Sequence, residues 1–197
     1  MTSGAWFRVV TRQWGVAIGL ILVVMFNWGI PPALADQTDA VGIGDSVMLG
    51  AKPQLLESGL SKVDAKVSRQ ASEGPGILRS WGSKLPNNVV VHLGTNGTIA
   101  LKDCRDMVTA VGSDRTLYLV TVKVPRFWEK RNNRVLRACQ RSFAGTRVVL
   151  VDWYAVATEN PEYLYADGYH LRPDGVQAYV DLIQKAIGPR PVRWDRW

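Results

Sequence analysis

Five short apolar runs alternate along the chain with segments of helical periodicity. Such runs are typical of buried strands. They cover residues 40–43, 62–68, 89–93, 115–124 and 146–152. Helices are predicted at about residues 48–58, 72–81, 98–111, 129–143 and 173–187. Strands that alternate with helices predict an α/β fold, a three-layer α/β/α sandwich around a five-stranded parallel sheet.

The first apolar run ends in Gly44-Asp45-Ser46 and continues into a second apolar segment. This pattern predicts a strand, a tight turn and the first turn of a helix. The turn would lift the Ser46 hydroxyl above the sheet edge, where the N-terminus of the helix offers backbone N–H groups to an oxyanion. Because Gly, Asp and Ser are common turn residues, the tripeptide alone does not identify a nucleophile.

A serine nucleophile needs a base, and the chain has two histidines. His92 lies within an apolar strand, which favours a packed, structural histidine. His170 lies in a loop before the last helix, and Asp167 three residues earlier can accept its Nδ1–H. We therefore predict Ser46 as nucleophile, His170 as base and Asp167 as the acid that orients the base.

Two further turns follow predicted strands, Gly94–Gly97 and Ser68–Gln70. In a parallel sheet, the loops after the strands gather at one edge, together with Ser46. We expect the oxyanion to be bound by the Ser46 backbone N–H, the Asn96 side-chain amide and the Arg69 backbone N–H. An equally good explanation of Asn96 is a plain turn, since Asn-Gly is a common turn pair.

Five ordered blocks of this sequence resemble the SGNH/GDSL hydrolase superfamily. They are GDSVMLG at 44–50, HLGTNG at 92–97, VKVPRFW at 122–128, VDWY at 151–154 and DGYHLRPDG at 167–175. Their details are similar to the extracytoplasmic SGNH domains of cell-wall (peptidoglycan) O-acetyltransferases. The resemblance covers about residues 41–187.

The resemblance implies a flavodoxin-like SGNH hydrolase fold without a cofactor. It also implies the same roles for Ser46, His170, Asp167 and Asn96. The sequence departs from the family at the second block, where a glycine N–H normally serves the oxyanion and this chain has Ser68-Arg69. The multi-pass membrane acyltransferase that commonly precedes such domains is absent, so we expect the acyl donor to be a separate membrane protein or a soluble ester.

The N-terminal residues have the three parts of a secretory signal. A basic flank with Arg8 and Arg12 precedes an apolar run over residues 15–30, and the small residues Ala33 and Ala35 follow. We predict a signal peptide at 1–35, with an uncleaved membrane anchor as the alternative. The domain would then cover 36–187, followed by a loose Pro/Arg-rich tail at 188–197, and the protein would be extracytoplasmic, either secreted or periplasmic.

The chain has 197 residues and a formal net charge of +7. Its basic residues are scattered and no nucleic-acid-binding motif is present, so we expect no nucleic-acid partner. The charge suits a solubilising surface or a weak attraction to anionic envelope polymers.

In an exported protein, Cys104 and Cys139 are expected to form a disulfide, with two buried thiols as the alternative. Two cysteines and two histidines without ligand spacing predict no metal site.

These features predict an exported monomeric serine esterase or O-acyltransferase that acts on short acyl esters, above all acetyl esters, of cell-wall glycan. Phe127, Trp128, Trp153 and Tyr169 could form a platform for a sugar ring, or they could pack the loops. One alternative is a lipid or thioester hydrolase with the same three residues. An alternative of another class is a non-catalytic module that binds glycan.

Overall fold

The structure is a computed structural model that describes Met1 and residues 38–143 and 147–188. The predicted signal or anchor segment therefore lies outside the described residues, apart from Met1. The same holds for the predicted tail, apart from Gly188. None of the helices in these described ranges combines the length and the apolar character that crossing a bilayer requires.

Five parallel strands form one sheet. They are β1 (Thr38–Gly44), β2 (Leu60–Ala65), β3 (Asn88–His92), β4 (Thr116–Val120) and β5 (Val148–Val151). Their order across the sheet is β2-β1-β3-β4-β5. This is the flavodoxin-like order, in which the switch point lies between β1 and β3. The predicted α/β fold with a five-stranded parallel sheet is confirmed.

Seven α-helices connect the described strands or follow them. They are α1 (Ser46–Gly50), α2 (Lys52–Glu57), α3 (Gly74–Trp81), α4 (Leu101–Val111), α5 (Glu129–Ser142), α6 (Trp153–Glu159) and α7 (Pro173–Ile187). Helices α1, α2, α6 and α7 pack on one face of the sheet, and α3, α4 and α5 pack on the other. Alternate residues of β3 fill the two cores, Val90 on the first face and Val89 and Val91 on the second.

Some predicted boundaries differ from the observed ones. The helix predicted at 48–58 is two short helices, because the chain turns at Ala51 and the second helix begins at Lys52 with Pro53 in its first turn. The strand predicted at 62–68 begins earlier and ends at Ala65. Helix α6 lies in a stretch with few sequence signals, and the Asp152 side chain caps it by accepting from the Ala155 N–H.

A disulfide joins α4 to α5, as predicted. Cys104 and Cys139 are both fully buried in the core of the second face, with their Cα atoms 6.3 Å apart. The bond ties the helix that follows the Gly94–Gly97 turn to the helix that follows β4. It therefore holds α4 against α5 on the second face of the sheet.

Candidate active site

Ser46 occupies the first position of α1, directly after β1. The buried carboxylate of Asp45 caps this helix by accepting from the Val47 N–H at 3.1 Å, and its second oxygen accepts from the Thr95 N–H at 3.2 Å. The backbone is tight here, since a Cβ on Gly44 would collide with the Met48 side chain. Asp45 thus joins the end of β1 to the loop after β3 and fixes the turn that presents Ser46.

Three side chains form a continuous hydrogen-bonded row. The Oγ of Ser46 lies 3.1 Å from Nε2 of His170, and Nδ1 of His170 lies 2.8 Å from Oδ2 of Asp167. Ser46 and His170 are 124 positions apart in the chain. The fold therefore brings together the three residues for which the sequence predicts nucleophile, base and orienting acid.

Residues 163–172 form a small hairpin that carries His170 and Asp167. The Tyr165 N–H donates to the His170 carbonyl at 2.9 Å. Helix α7 begins directly beneath the hairpin, and a Cβ on Gly175 would collide with the Tyr163 carbonyl. The first turn of α7 therefore supports the hairpin from below and limits where the imidazole can lie.

The Asp167 carboxylate has several donors around it. Burial alone would raise its pKa, but the N–H groups of Tyr169 and His170 at 3.1 and 3.0 Å, together with the His170 ring, lower the pKa below its usual value. The carboxylate is thus ionised at neutral pH. An ionised carboxylate favours a proton on Nδ1 of His170, which leaves the Nε2 lone pair directed at Ser46.

Asn96 and Arg69 come together beside this row. The Asn96 side-chain amide donates to the Arg69 carbonyl at 3.4 Å. The buried Arg69 guanidinium donates to the Gly44 carbonyl at 3.2 Å and forms an ion pair with Asp64 at 2.7 Å. Arg69 therefore braces the end of β1 and the Asn96 loop against each other.

The backbone N–H of Arg69, expected to serve the oxyanion, donates to the Lys66 carbonyl at 3.4 Å. Ser68, one residue earlier, has a φ of +62°, in the left-handed region that favours glycine. Ser68 is also exposed, whereas Arg69 is buried. The turn that replaces the glycine block thus keeps a glycine-like conformation at Ser68.

Asn132, on α5, has a role at the site that sequence reasoning missed. Its fully buried side chain donates to the carbonyls of Gly94 and Gly97 at 2.9 and 2.7 Å, and it accepts from the Ile99 N–H at 2.8 Å. Asn132 thus holds the ends of the Asn96 loop. One signal could have found it, because a polar residue on the buried face of an amphipathic helix needs buried partners.

The other histidine has a different environment. His92 is buried, and its Nδ1 lies 2.8 Å from the Tyr179 hydroxyl. Burial lowers the pKa of His92, although the nearby Asp45 charge opposes the shift. Burial and the same charge raise the pKa of Tyr179 well above its usual value. Both groups are therefore neutral near pH 7, which fits a packed, structural pair.

The aromatic residues proposed for a sugar platform have different surroundings. Trp153 is fully buried in the core, so it is not available to a ligand. Phe127 is 88% exposed and makes an edge contact with Trp128, with ring centroids 4.9 Å apart. The Tyr169 ring lies 4.2 Å from that of His170. Of the four rings, Phe127 is thus the most exposed, and Tyr169 lies beside the His170 imidazole.

No protein-family model matches the chain. The O-acetyltransferase OatA of Staphylococcus aureus is 35% identical to it over 150 residues, which are 74% of this chain and 24% of OatA. YrhL of Bacillus subtilis is 37% identical over 152 residues, which are 76% of this chain and 24% of YrhL. The chain thus spans about a quarter of the length of these curated relatives.

Solved structures show the same fold. The C-terminal catalytic domain of peptidoglycan O-acetyltransferase A from Streptococcus pneumoniae, solved with a methylsulfonyl adduct, has a TM-score of 0.66 and 24% identity, with 75% of this chain and 91% of that chain covered. A family 3 carbohydrate esterase from Clostridium thermocellum has a TM-score of 0.58 and 16% identity, with 75% and 94% covered. This chain is therefore similar in sequence to part of these O-acetyltransferases, and it has the fold of the solved SGNH hydrolases.

Proposed function

We propose that this protein is an exported serine esterase or O-acyltransferase that acts on acetyl or other short acyl esters of cell-wall glycan through an acyl-serine intermediate. The observation that carries the proposal is the hydrogen-bonded row of Ser46, His170 and Asp167. A hydroxyl, an imidazole and a carboxylate in this arrangement form an activated nucleophile.

The reaction has two halves. In the first, Ser46 Oγ attacks the carbonyl carbon of the donor ester while Nε2 of His170 takes its proton. The oxyanion is bound by the Ser46 backbone N–H and the Asn96 amide. When the intermediate collapses, the donor's alkoxide leaves with the proton from His170, and the acyl group stays on Ser46.

In the second half, an acceptor hydroxyl gives its proton to His170 and attacks the acyl-serine. The new tetrahedral intermediate breaks its bond to Ser46 Oγ, which recovers the proton. Water as the acceptor makes the enzyme an esterase, and a sugar hydroxyl makes it a transferase.

The comparisons with known proteins and two aromatic rings support a glycan acceptor. The relatives include O-acetyltransferases, one similar solved structure acts on peptidoglycan by its name, and another is a carbohydrate esterase. Tyr169 beside the base and the exposed Phe127, braced by Trp128, offer aromatic faces to a sugar. Peptidoglycan is in turn found outside the cytoplasm, which agrees with the predicted export.

Mass spectrometry of the protein incubated with p-nitrophenyl acetate and chitooligosaccharide tests the proposal. We expect an acetyl group on Ser46 and its transfer to the sugar or to water. Ser46→Ala should remove the adduct and the turnover. A Ser46→Ala protein that turns over as fast as the unaltered one would refute the assignment of the nucleophile.

A further inference from the structure

Helix α5 carries a concentrated positive charge. Its basic residues are Lys130, Arg131, Arg134, Arg137 and Arg141, and its one acidic residue, Glu129, is buried. Lys130, Arg134 and Arg137 follow spacings of four and three, so they share one side of the helix. This side borders a cleft of about 250 Å³, which Asn133 and Tyr154 complete; we name it the α5 cleft.

The carboxylates around the α5 cleft are already paired. Glu129 faces Lys123 at 3.6 Å, and Asp152 binds Arg137 at 2.8 Å. Burial alone would raise the pKa of Asp152, but hydrogen bonds from Arg137 and Thr121 lower it, so this pair is ionised at neutral pH.

Lys130 and Arg134 are exposed, and neither has an ion pair within the part of the chain that the structure describes. Like charges four positions apart on a helix repel each other. Tyr154 also lines the cleft, and its ring lies 5.4 Å from Nζ of Lys123. Two exposed cations without an ion pair among the described residues thus meet in one concave site, which suits an oxyanion group such as a carboxylate.

The loop at residues 125–128 lies between the α5 cleft and the hairpin that carries His170. Helix α5 begins directly after the 125–128 loop, and in that loop Pro125 lies against Gly168 of the hairpin that carries His170. Strand β1, which positions Ser46, and strand β5, which leads to Tyr154 of the cleft, are three strand spacings apart across the sheet, an offset of about 15 Å. A small ester at Ser46 cannot span this distance, whereas an oligosaccharide can.

We infer that the α5 cleft is an acceptor subsite for a carboxylate carried by the glycan, so that this enzyme prefers acidic glycan chains to neutral ones. The inference rests on the proposed function and names the substrate class for it. Carboxylates are the acidic groups of sugar acids and of peptides attached to sugars. The cleft anchors such a group while a hydroxyl further along the same chain reaches the acyl-serine.

The test compares two double variants of the full chain. Lys130→Gln with Arg134→Gln removes two charges from the cleft, and Arg131→Gln with Arg141→Gln removes two exposed charges from the same helix outside it. The acceptors are a carboxylated oligosaccharide and the same oligosaccharide with its carboxylates converted to amides. Transfer from p-nitrophenyl acetate is measured with each, and hydrolysis of p-nitrophenyl acetate alone reports the integrity of the catalytic residues.

We expect the unaltered protein to prefer the carboxylated acceptor. The cleft variant should raise the KM for that acceptor about tenfold, while its hydrolysis of p-nitrophenyl acetate and its KM for the amidated acceptor stay unchanged. The control variant should behave like the unaltered protein. An equal loss in both variants would mean a general charge effect and would overturn the subsite. So would a phosphorylated oligosaccharide that binds better than the carboxylated one.

A binding experiment separates this inference from the proposed function. Isothermal titration of carboxylated oligosaccharide into Ser46→Ala protein, with and without the cleft substitutions, needs no turnover. Weaker binding in the cleft variant alone supports the subsite even if transfer fails, whereas equal binding refutes it even if Ser46 proves to be the nucleophile.

Discussion

Asn132 and Asn133 are neighbours on α5, and each clasps a different loop at the carboxyl edge of the sheet. Asn132 donates to the Gly94 and Gly97 carbonyls at 2.9 and 2.7 Å, around the Asn96 loop. Asn133 accepts from the Val122 N–H and donates to the Val122 carbonyl, each at 2.9 Å, in the loop after β4. The pair offers a matched comparison, because both side chains are buried and both serve backbone groups.

Asn132→Ala should lower kcat for p-nitrophenyl acetate by about 10- to 100-fold with little change in KM, because Asn96 would lose the position from which we propose that it donates to the oxyanion. Asn133→Ala should keep kcat within about threefold. Both variants leave buried backbone groups unpaired, so each should lose about 1–3 kcal/mol of unfolding free energy in urea. Equal losses of kcat in the two variants would show that Asn132 is only structural.

Asp167→Asn should lower kcat by about 10²- to 10⁴-fold. An amide at this position can present an N–H to Nδ1 of His170, which favours the tautomer with its proton on Nε2 and removes the acceptor that Ser46 needs. If the three residues act as one unit, combining Asp167→Asn with Ser46→Ala should be no slower than Ser46→Ala alone. Steady-state kinetics of the two single variants and the double variant check this. A double variant whose decrease in kcat equals the product of the two single decreases would contradict it.

The fold could be predicted because its signals are local. A run such as Val89-Val90-Val91, apolar at consecutive positions, fits a strand that is buried on both faces, and β3 has that place in the sheet. The ends of the helices were harder to predict where capping contacts determine them. The turn at Ala51 that divides α1 from α2 depends on backbone contacts with Met48 and Leu49, which no periodicity reveals.

The position of some candidate site residues could be predicted because they lie in turns after strands. Ser46 and Asn96 follow β1 and β3, and parallel strands bring such turns to one edge. Asn132 was missed because its partners are backbone carbonyl groups 35 and 38 positions away. Every residue has a backbone carbonyl, so no side-chain type in the sequence marks these partners. The sequence left a sugar platform and packing equally open for Trp153, because its place in the core beside Tyr179 and α7 depends on a neighbourhood that only the folded chain creates.

The disulfide should contribute about 3–4 kcal/mol to stability, since it closes a loop between positions separated by 35 residues. Urea unfolding of the oxidised protein should show this difference from the Cys104→Ala, Cys139→Ala double variant. Reductant should destabilise the unaltered protein and leave the double variant unchanged. Identical unfolding curves for the two oxidised proteins would contradict the bond's contribution.

His92 should make stability depend on pH below about 6.5, the ordinary pKa of histidine in an unfolded chain. Burial lowers the pKa of folded His92, so between that lowered value and about 6.5 the unfolded chain binds a proton that the folded one does not. Stability is therefore fully present above about 6.5 and falls as the pH drops towards the folded pKa, by at most about 1.4 kcal/mol per pH unit.

Unfolding free energies in urea at several pH values between about 5.5 and 7.5 test this linkage. His92→Gln should show a shallower loss than the unaltered protein, because glutamine binds no proton, and His170 is common to both and cancels in the comparison. Tyr179→Phe is the matched control, since it removes the hydroxyl 2.8 Å from Nδ1 but keeps the buried imidazole. It should lower stability at every pH and retain the steep dependence. If the free energies of unfolding of His92→Gln and of the unaltered protein fall in parallel as the pH drops, groups other than His92 cause the acid sensitivity.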